Sequence, residues 1–212
     1  MKNLILVLSF MLTTGVLSAQ LKIGIRGGSP SVSAKEVSKQ FYNSDNTGAF
    51  ELNYLSTRTS YSYGLGLYQD VGPAFISADI LFRSKTVQYN LASLDSKDRN
   101  ESKYEDKFKE ITIPVAAGWR KNNLKLGLGP VFTFKAQSDY SLEDMSEFSV
   151  SQRKLDTGFQ FLIGYIIKDR IHIDIKRELN FNQTGEDYQV NGRNLNLKSQ
   201  PHTGSISVGI YF

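Results

Sequence analysis

The sequence predicts an all-β chain that folds as an eight-stranded antiparallel up-and-down transmembrane β-barrel. Three observations carry the prediction. The last eleven residues, from His202, alternate apolar and small or polar and stop on the aromatic Phe212. Eight such alternating segments recur along the chain, and their connections run long, short, long, short, long, short, long. The start carries a secretory signature. Strands whose side chains alternate between lipid and a crowded interior, joined by short periplasmic turns and longer outside loops, have this pattern.

Met1-Lys2-Asn3 is a short basic start, Leu4 to Leu12 an apolar run too short to span a bilayer, and Leu17-Ser18-Ala19 a small-residue cleavage signal. Residues 1–19 are therefore expected to be a removed signal peptide and residues 20–212 the barrel domain. The chain has no cysteine, which excludes a lipid anchor, a disulfide framework and a Cys-based metal site. A net charge of +4 over 212 residues is too mild to argue for nucleic acid. With 11 Tyr and 13 Phe against 3 Met, the composition favours strands over helices.

The first strand, Leu21 to Gly27, sets Leu21, Ile23 and Ile25 against Lys22, Gly24 and Arg26. A long polar stretch follows to about Arg58, within which Ala49 to Leu55 reads as an extension of the second strand. That strand, Thr59 to Tyr68, sets Tyr61, Tyr63, Leu65 and Leu67 against Ser60, Ser62, Gly64 and Gly66. A tight turn at Gln69 to Pro73 leads to Ala74 to Lys85, and a long charged connection, Thr86 to Lys107, leads to Phe108 to Trp119. Leu124 to Phe134 follows a turn at Arg120 to Asn123. The connection Lys135 to Lys154 leads to Leu155 to Ile167, and a turn at Lys168 to Arg170 opens the seventh strand, Ile171 to about Leu179. There Arg177 and Leu179 break the parity, which predicts a bulge or an early end near Lys176. A final polar connection ends at Pro201.

An even strand count puts both termini on the periplasmic side of an outer membrane. Trp119, Tyr165 and Phe212 then form one aromatic girdle, and Tyr61, Phe82, Phe134 and Phe159 the other. A soluble sandwich or lipocalin-like barrel also alternates, but its apolar face would point inward and its glycine-rich face would meet water.

Five segments carry a family resemblance: Glu110-Ile-Thr-Ile-Pro114 within Phe108 to Gly118, Lys22 to Gly28, Ala78 to Phe82, Gly127-Leu-Gly-Pro130, and the terminal Phe212. In these the chain resembles the PorT-like outer-membrane β-barrel family over essentially its whole length after residue 19. The resemblance implies a small barrel. The family's founding member is linked to a protein secretion system, and no residue here is specific to that role.

On the barrel reading, Lys22, Arg26, Asp79, Arg83, Glu110, Lys125, Asp156, His172, Asp174 and Lys176 point inward as a polar cluster of both signs. A barrel of this size is filled by its side chains, so the expected interior is an ion-paired plug. Catalysis is not expected. The chain has two histidines, His172 and His202; His172 sits by a periplasmic turn, and His202 has no serine motif beside it. No phosphate loop, cofactor motif or ordered calcium loop is present. The charged run from Leu94 to Lys107 reads as a solvated outside loop. The expected function is binding or scaffolding through mobile outside loops, with a narrow passive pore and an outer-leaflet lipid-modifying enzyme as alternatives. The expected partners are outer-membrane lipid and lipopolysaccharide, barrel assembly machinery acting on Phe212, and an envelope or secretion protein.

Overall fold

Apolar residues at every second position give each strand one greasy face, and each backbone finds its hydrogen-bond partners only when neighbouring strands pair. The structure, a computed structural model, describes residues 21–33, 38–42, 49–94, 101–143, 148–150, 154–181, 188–190, 193–194 and 202–212. The expected signal peptide, 1–19, and residues 95–100 of the charged run lie outside the described residues.

The strands are β1 (Leu21–Ser33), β2 (Ser38–Tyr42), β3 (Ala49–Thr59), β4 (Ser62–Val71), β5 (Ala74–Ser93), β6 (Glu101–Lys121) and β7 (Leu124–Asp139). They continue with β8 (Phe148–Val150), β9 (Leu155–Ile167), β10 (Ile171–Asn180), β11 (Tyr188–Val190), β12 (Arg193–Asn194) and β13 (His202–Tyr211). All pairings are antiparallel. They close a ring that runs β1, β4, β5, β6, β7, β9, β10, β13 and back to β1. β3 pairs with β5 beyond β4 and so extends the same lane outward, as the sequence suggests for Ala49 to Leu55. β2 adds to β3, while β8, β11 and β12 form a small separate sheet.

Stepping across paired residues from Leu21 through Gln69, Ile76, Ala117, Leu128, Phe161, Arg177 and Gly204 returns to β1 at Ser31, ten residues further on. That stagger tilts the strands by about 40° to the ring axis. Three connections are short, at Gly72-Pro73, Asn122-Asn123 and Lys168 to Arg170, and all lie at one end. Gly72 takes a φ of 60° that only glycine adopts freely. Lys168 and Asp169 hold left-handed φ of 50° and 57° without being glycine. Lys168→Asn should therefore raise stability by about 0.5–1 kcal/mol, read as an upward shift of the urea midpoint of the folded protein.

Apolar side chains line the outside of the ring: Ile25 is 65% exposed, Ile175 60% and Ile206 59%. Along β7 the outward Leu124, Leu126, Leu128, Phe132 and Phe134 make a band about 25 Å tall. Beyond the band the faces exchange. On β5, Ile76, Ile80 and Phe82 point outward, whereas Val87, Tyr89 and Leu91 are buried inside. On the next lane Tyr63 and Leu65 are outward while Leu52 and Tyr54 are buried.

The long connections therefore are not the polar loops expected from composition. Their described residues extend the strands by several positions and enclose an apolar core of their own. In it Leu52, Tyr54, Val87, Tyr89, Leu91 and Phe108 pack against Tyr140, Leu142, Phe148, Tyr188 and Val190 from the other connections. Asp106 fastens this cap, accepting hydrogen bonds from the Ser141 amide (3.0 Å), the Ser141 hydroxyl (3.1 Å) and the Tyr188 hydroxyl (2.6 Å). The expected bulge near Lys176 is also absent. β10 keeps one register on both sides to its end, with Arg177 exposed and Glu178 buried, because Glu178 has a cationic partner inside.

Candidate functional site

Small residues on the inward parity leave room for large charged neighbours. A Cβ added at Gly164 would collide with Asp174 and Lys125, so this glycine makes the space in which that pair meets. The interior is layered from the turn end. Tyr68, Phe75 and Tyr211 form an aromatic floor with Leu162, Ile166 and Ala116. His172 lies between Tyr68 and Tyr211, at ring separations of 4.4 and 4.3 Å.

Above the floor, Lys125, with no solvent exposure, stands 2.9 Å from Asp174 and 3.2 Å from His172 Nδ1. Its ammonium also lies over the rings of Tyr68 and Phe75, at 5.3 and 5.6 Å. Arg26 ion-pairs with Asp174 and with Asp79 (3.3 Å), and donates to the Tyr211 hydroxyl (3.0 Å) and the Ser207 hydroxyl (3.1 Å). Lys176 closes on Asp79 at 2.9 Å. Three cations thus meet two carboxylates, and the negative faces of Tyr68 and Phe75 support the surplus cation.

The third layer is balanced. Arg83 donates to Glu110 at 2.8 Å and reaches Glu178 at 3.4 Å, Lys85 stands 3.8 Å from Glu110, and Lys135 3.7 Å from Asp156.

Of the ten residues picked from parity, Arg26, Asp79, Lys125, His172, Asp174 and Lys176 meet in the lower cluster, and Arg83, Glu110 and Asp156 in the upper. Lys22 stands apart at the turn-end rim, 3.7 Å from Asp70 and donating to the Asp169 carbonyl at 3.1 Å. There Arg120 clamps Asp70 (2.6 Å) and Asp169 (2.5 Å), and its guanidinium holds the Asp169 carboxyl below the usual range. Parity reasoning missed Glu178, Lys85, Lys135 and Gln160. Glu178 was legible as the next inward position after Lys176, had the strand been continued. The inward aromatics Tyr68, Phe75 and Tyr211 carried the signal for a floor, since each breaks the small-or-polar pattern of its face, two of them beside the turn at Gln69 to Pro73 and the third beside Phe212.

With paired charges filling the interior, an aromatic floor at one end and an aromatic cap at the other, the arrangement is a plugged barrel of inverted polarity: apolar outside, charged within. No protein-family model matches the chain, and no curated protein sequence matches it. Among solved structures, it is similar to the outer membrane protease OmpT from Escherichia coli, at 11% identity and a TM-score of 0.44, covering 94% of this chain and 100% of that one. It is also similar to the outer membrane protein OprG from Pseudomonas aeruginosa, at 11% identity and a TM-score of 0.41, covering 92% and 95%. A third is the translocator domain of the autotransporter NalP from Neisseria meningitidis, at 13% identity and a TM-score of 0.38, covering 100% and 95%. The closed ring follows from the strand pairings alone.

Proposed function

We propose that the ring is an eight-stranded barrel spanning an outer membrane, and that it acts as a binding or scaffold protein through the capped extensions, neither conducting nor catalysing. On this reading residues 20–212 form the barrel after removal of 1–19. The turns and both termini face the periplasm. The observation that carries it is the exchange of faces along single strands. Apolar residues point outward over a band of about 25 Å, the height of a barrel's lipid-facing belt, and inward beyond it. Such a reversal is what a strand needs where its surroundings change from lipid to water.

A conducting role is disfavoured because the lower ion cluster and the cap each obstruct the axis. A catalytic role is disfavoured because His172 is sealed between Lys125 and two tyrosine rings. Outward placement of Phe212 at the turn end leaves it free for assembly machinery. The resemblance to PorT-like barrels rests on short segments and assigns no partner.

The test is fractionation, followed by electrophoresis with and without boiling and by planar-bilayer recording. An outer-membrane band that shifts on heating, with no stable conductance, supports the proposal. A soluble band that does not shift removes the membrane assignment, and a selective steady conductance replaces the binding role with a pore.

A further inference from the structure

At the level where the faces exchange, the wall carries two faults. Ser60 and Tyr61 separate β3 from β4, and β6 meets β7 through a register shift between Lys109 and Glu110. The faults flank the β5–β6 hairpin on either side, and a crevice of about 240 Å³ opens at this place. Its lower lip is aromatic, with Tyr63 and Phe82 at a ring separation of 6.1 Å. Its upper lip is polar: Ser60 and Ser84 are joined by the Ser84 amide donating to the Ser60 hydroxyl at 2.9 Å, and Lys109 stands beside them.

The Lys109 side chain is exposed and has no hydrogen bond or ion pair among the described residues. Its cross-strand neighbours, Ser84 and Gln137, are uncharged. The next row outward places Arg58 and Lys107 on either side of Thr86, both exposed. Three cations therefore cluster on the outward face, directly above the upper aromatic girdle, with the exposed Asp139 across from Lys107 as the carboxylate of that row.

We propose that this crevice binds the phosphorylated sugar headgroup of an outer-leaflet glycolipid. Lys109 receives the phosphate, Arg58 and Lys107 support it, and Tyr63 and Phe82 pack against the sugar and the first methylenes of its acyl chains. The inference rests on the membrane reading above, which sets this level at the outer headgroup region. Three chemistries meet there in the order an anionic amphiphile presents them: cations in the headgroup layer, aromatics at the boundary and aliphatic side chains below. An aqueous anion would have no use for the aromatic lip.

The test is native mass spectrometry of the full folded protein in detergent, with bisphosphorylated lipid A, its dephosphorylated form and inorganic phosphate as probes. One lipid A should be retained per barrel. Lys109→Gln should weaken retention about fivefold and Lys109→Arg should keep it. The Arg58→Gln/Lys107→Gln pair should weaken it independently, and Lys121→Gln at the opposite rim should leave it unchanged. Undiminished retention by both Lys109→Gln and the pair overturns the site. So does equal retention of the dephosphorylated form, and displacement by millimolar inorganic phosphate assigns the crevice to a free anion instead. Each variant is first checked for the heat-dependent gel shift. A wild-type protein without that shift sinks the membrane reading itself, whereas a shifting barrel indifferent to Lys109 sinks only the lipid site.

Discussion

Asp174→Ala should destabilise the barrel by about 3–5 kcal/mol. Asp174 has no solvent exposure and is the carboxylate shared by Arg26 and Lys125. Its loss leaves Asp79 as the one carboxylate, among the described residues, in direct contact with a cation of the trio Arg26, Lys125 and Lys176, which already outnumber the carboxylates of the cluster. The cost comes chiefly from stranding cations without hydration and much less from losing an attraction, because a buried pair only roughly offsets its own desolvation. Asp174→Asn keeps the volume and removes the charge, so it should fall nearly as far. Ile175→Val, one residue along on the outward face, should cost about 1 kcal/mol or less. Urea unfolding followed by the heat-dependent gel shift measures all three, and an Asp174→Ala midpoint equal to the wild type's would refute the ion-paired plug.

Tyr188→Ala should release the cap while leaving the ring intact. Tyr188 is 1% exposed and packs edge-on against Tyr89, Tyr140 and Phe148, so truncation removes about 3–5 kcal/mol of local packing. Its hydroxyl also satisfies Asp106 at 2.6 Å. Limited proteolysis should cut the extensions of the variant, the heat-dependent shift should persist, and bilayer recordings should stay silent because the ion clusters below are untouched.

The same tyrosine makes the cap sensitive to alkali. Burial, and then the charge of Asp106 beside it, push the phenol above its ordinary value of 10.0. A released Tyr188 ionises near that value and a packed one does not. The stability this group contributes is therefore complete below about pH 10 and declines above it. Protease sensitivity of the cap should rise over that range and rise less steeply in Tyr188→Phe.

The lower cluster was legible because Ile171, Ile173 and Ile175 put His172, Asp174 and Lys176 on one face without ambiguity. Which cation each carboxylate would meet was not. Arg26 and Asp174 lie on β1 and β10, separated in the ring by β13, and the ten-residue stagger sets them level. That stagger is a property of the closed ring that no single strand carries. The extensions were misread for a related reason. Val87, Tyr89 and Leu91 alternate as strictly as Ile76, Ile80 and Phe82, but on the opposite parity, so one continuous strand looks like a strand followed by a loop.

Local periodicity was thus sufficient for strand identity, for the apolar outer face, for the short turns and for most of the charged residues within, because a two-residue repeat depends only on neighbouring positions. Partner choice within the plug, the aromatic cap and the crevice beside Lys109 were settled by ring closure and by the level at which the faces exchange. Those depend on where distant strands come to lie against one another, and pairing register across a closed sheet is a non-local quantity.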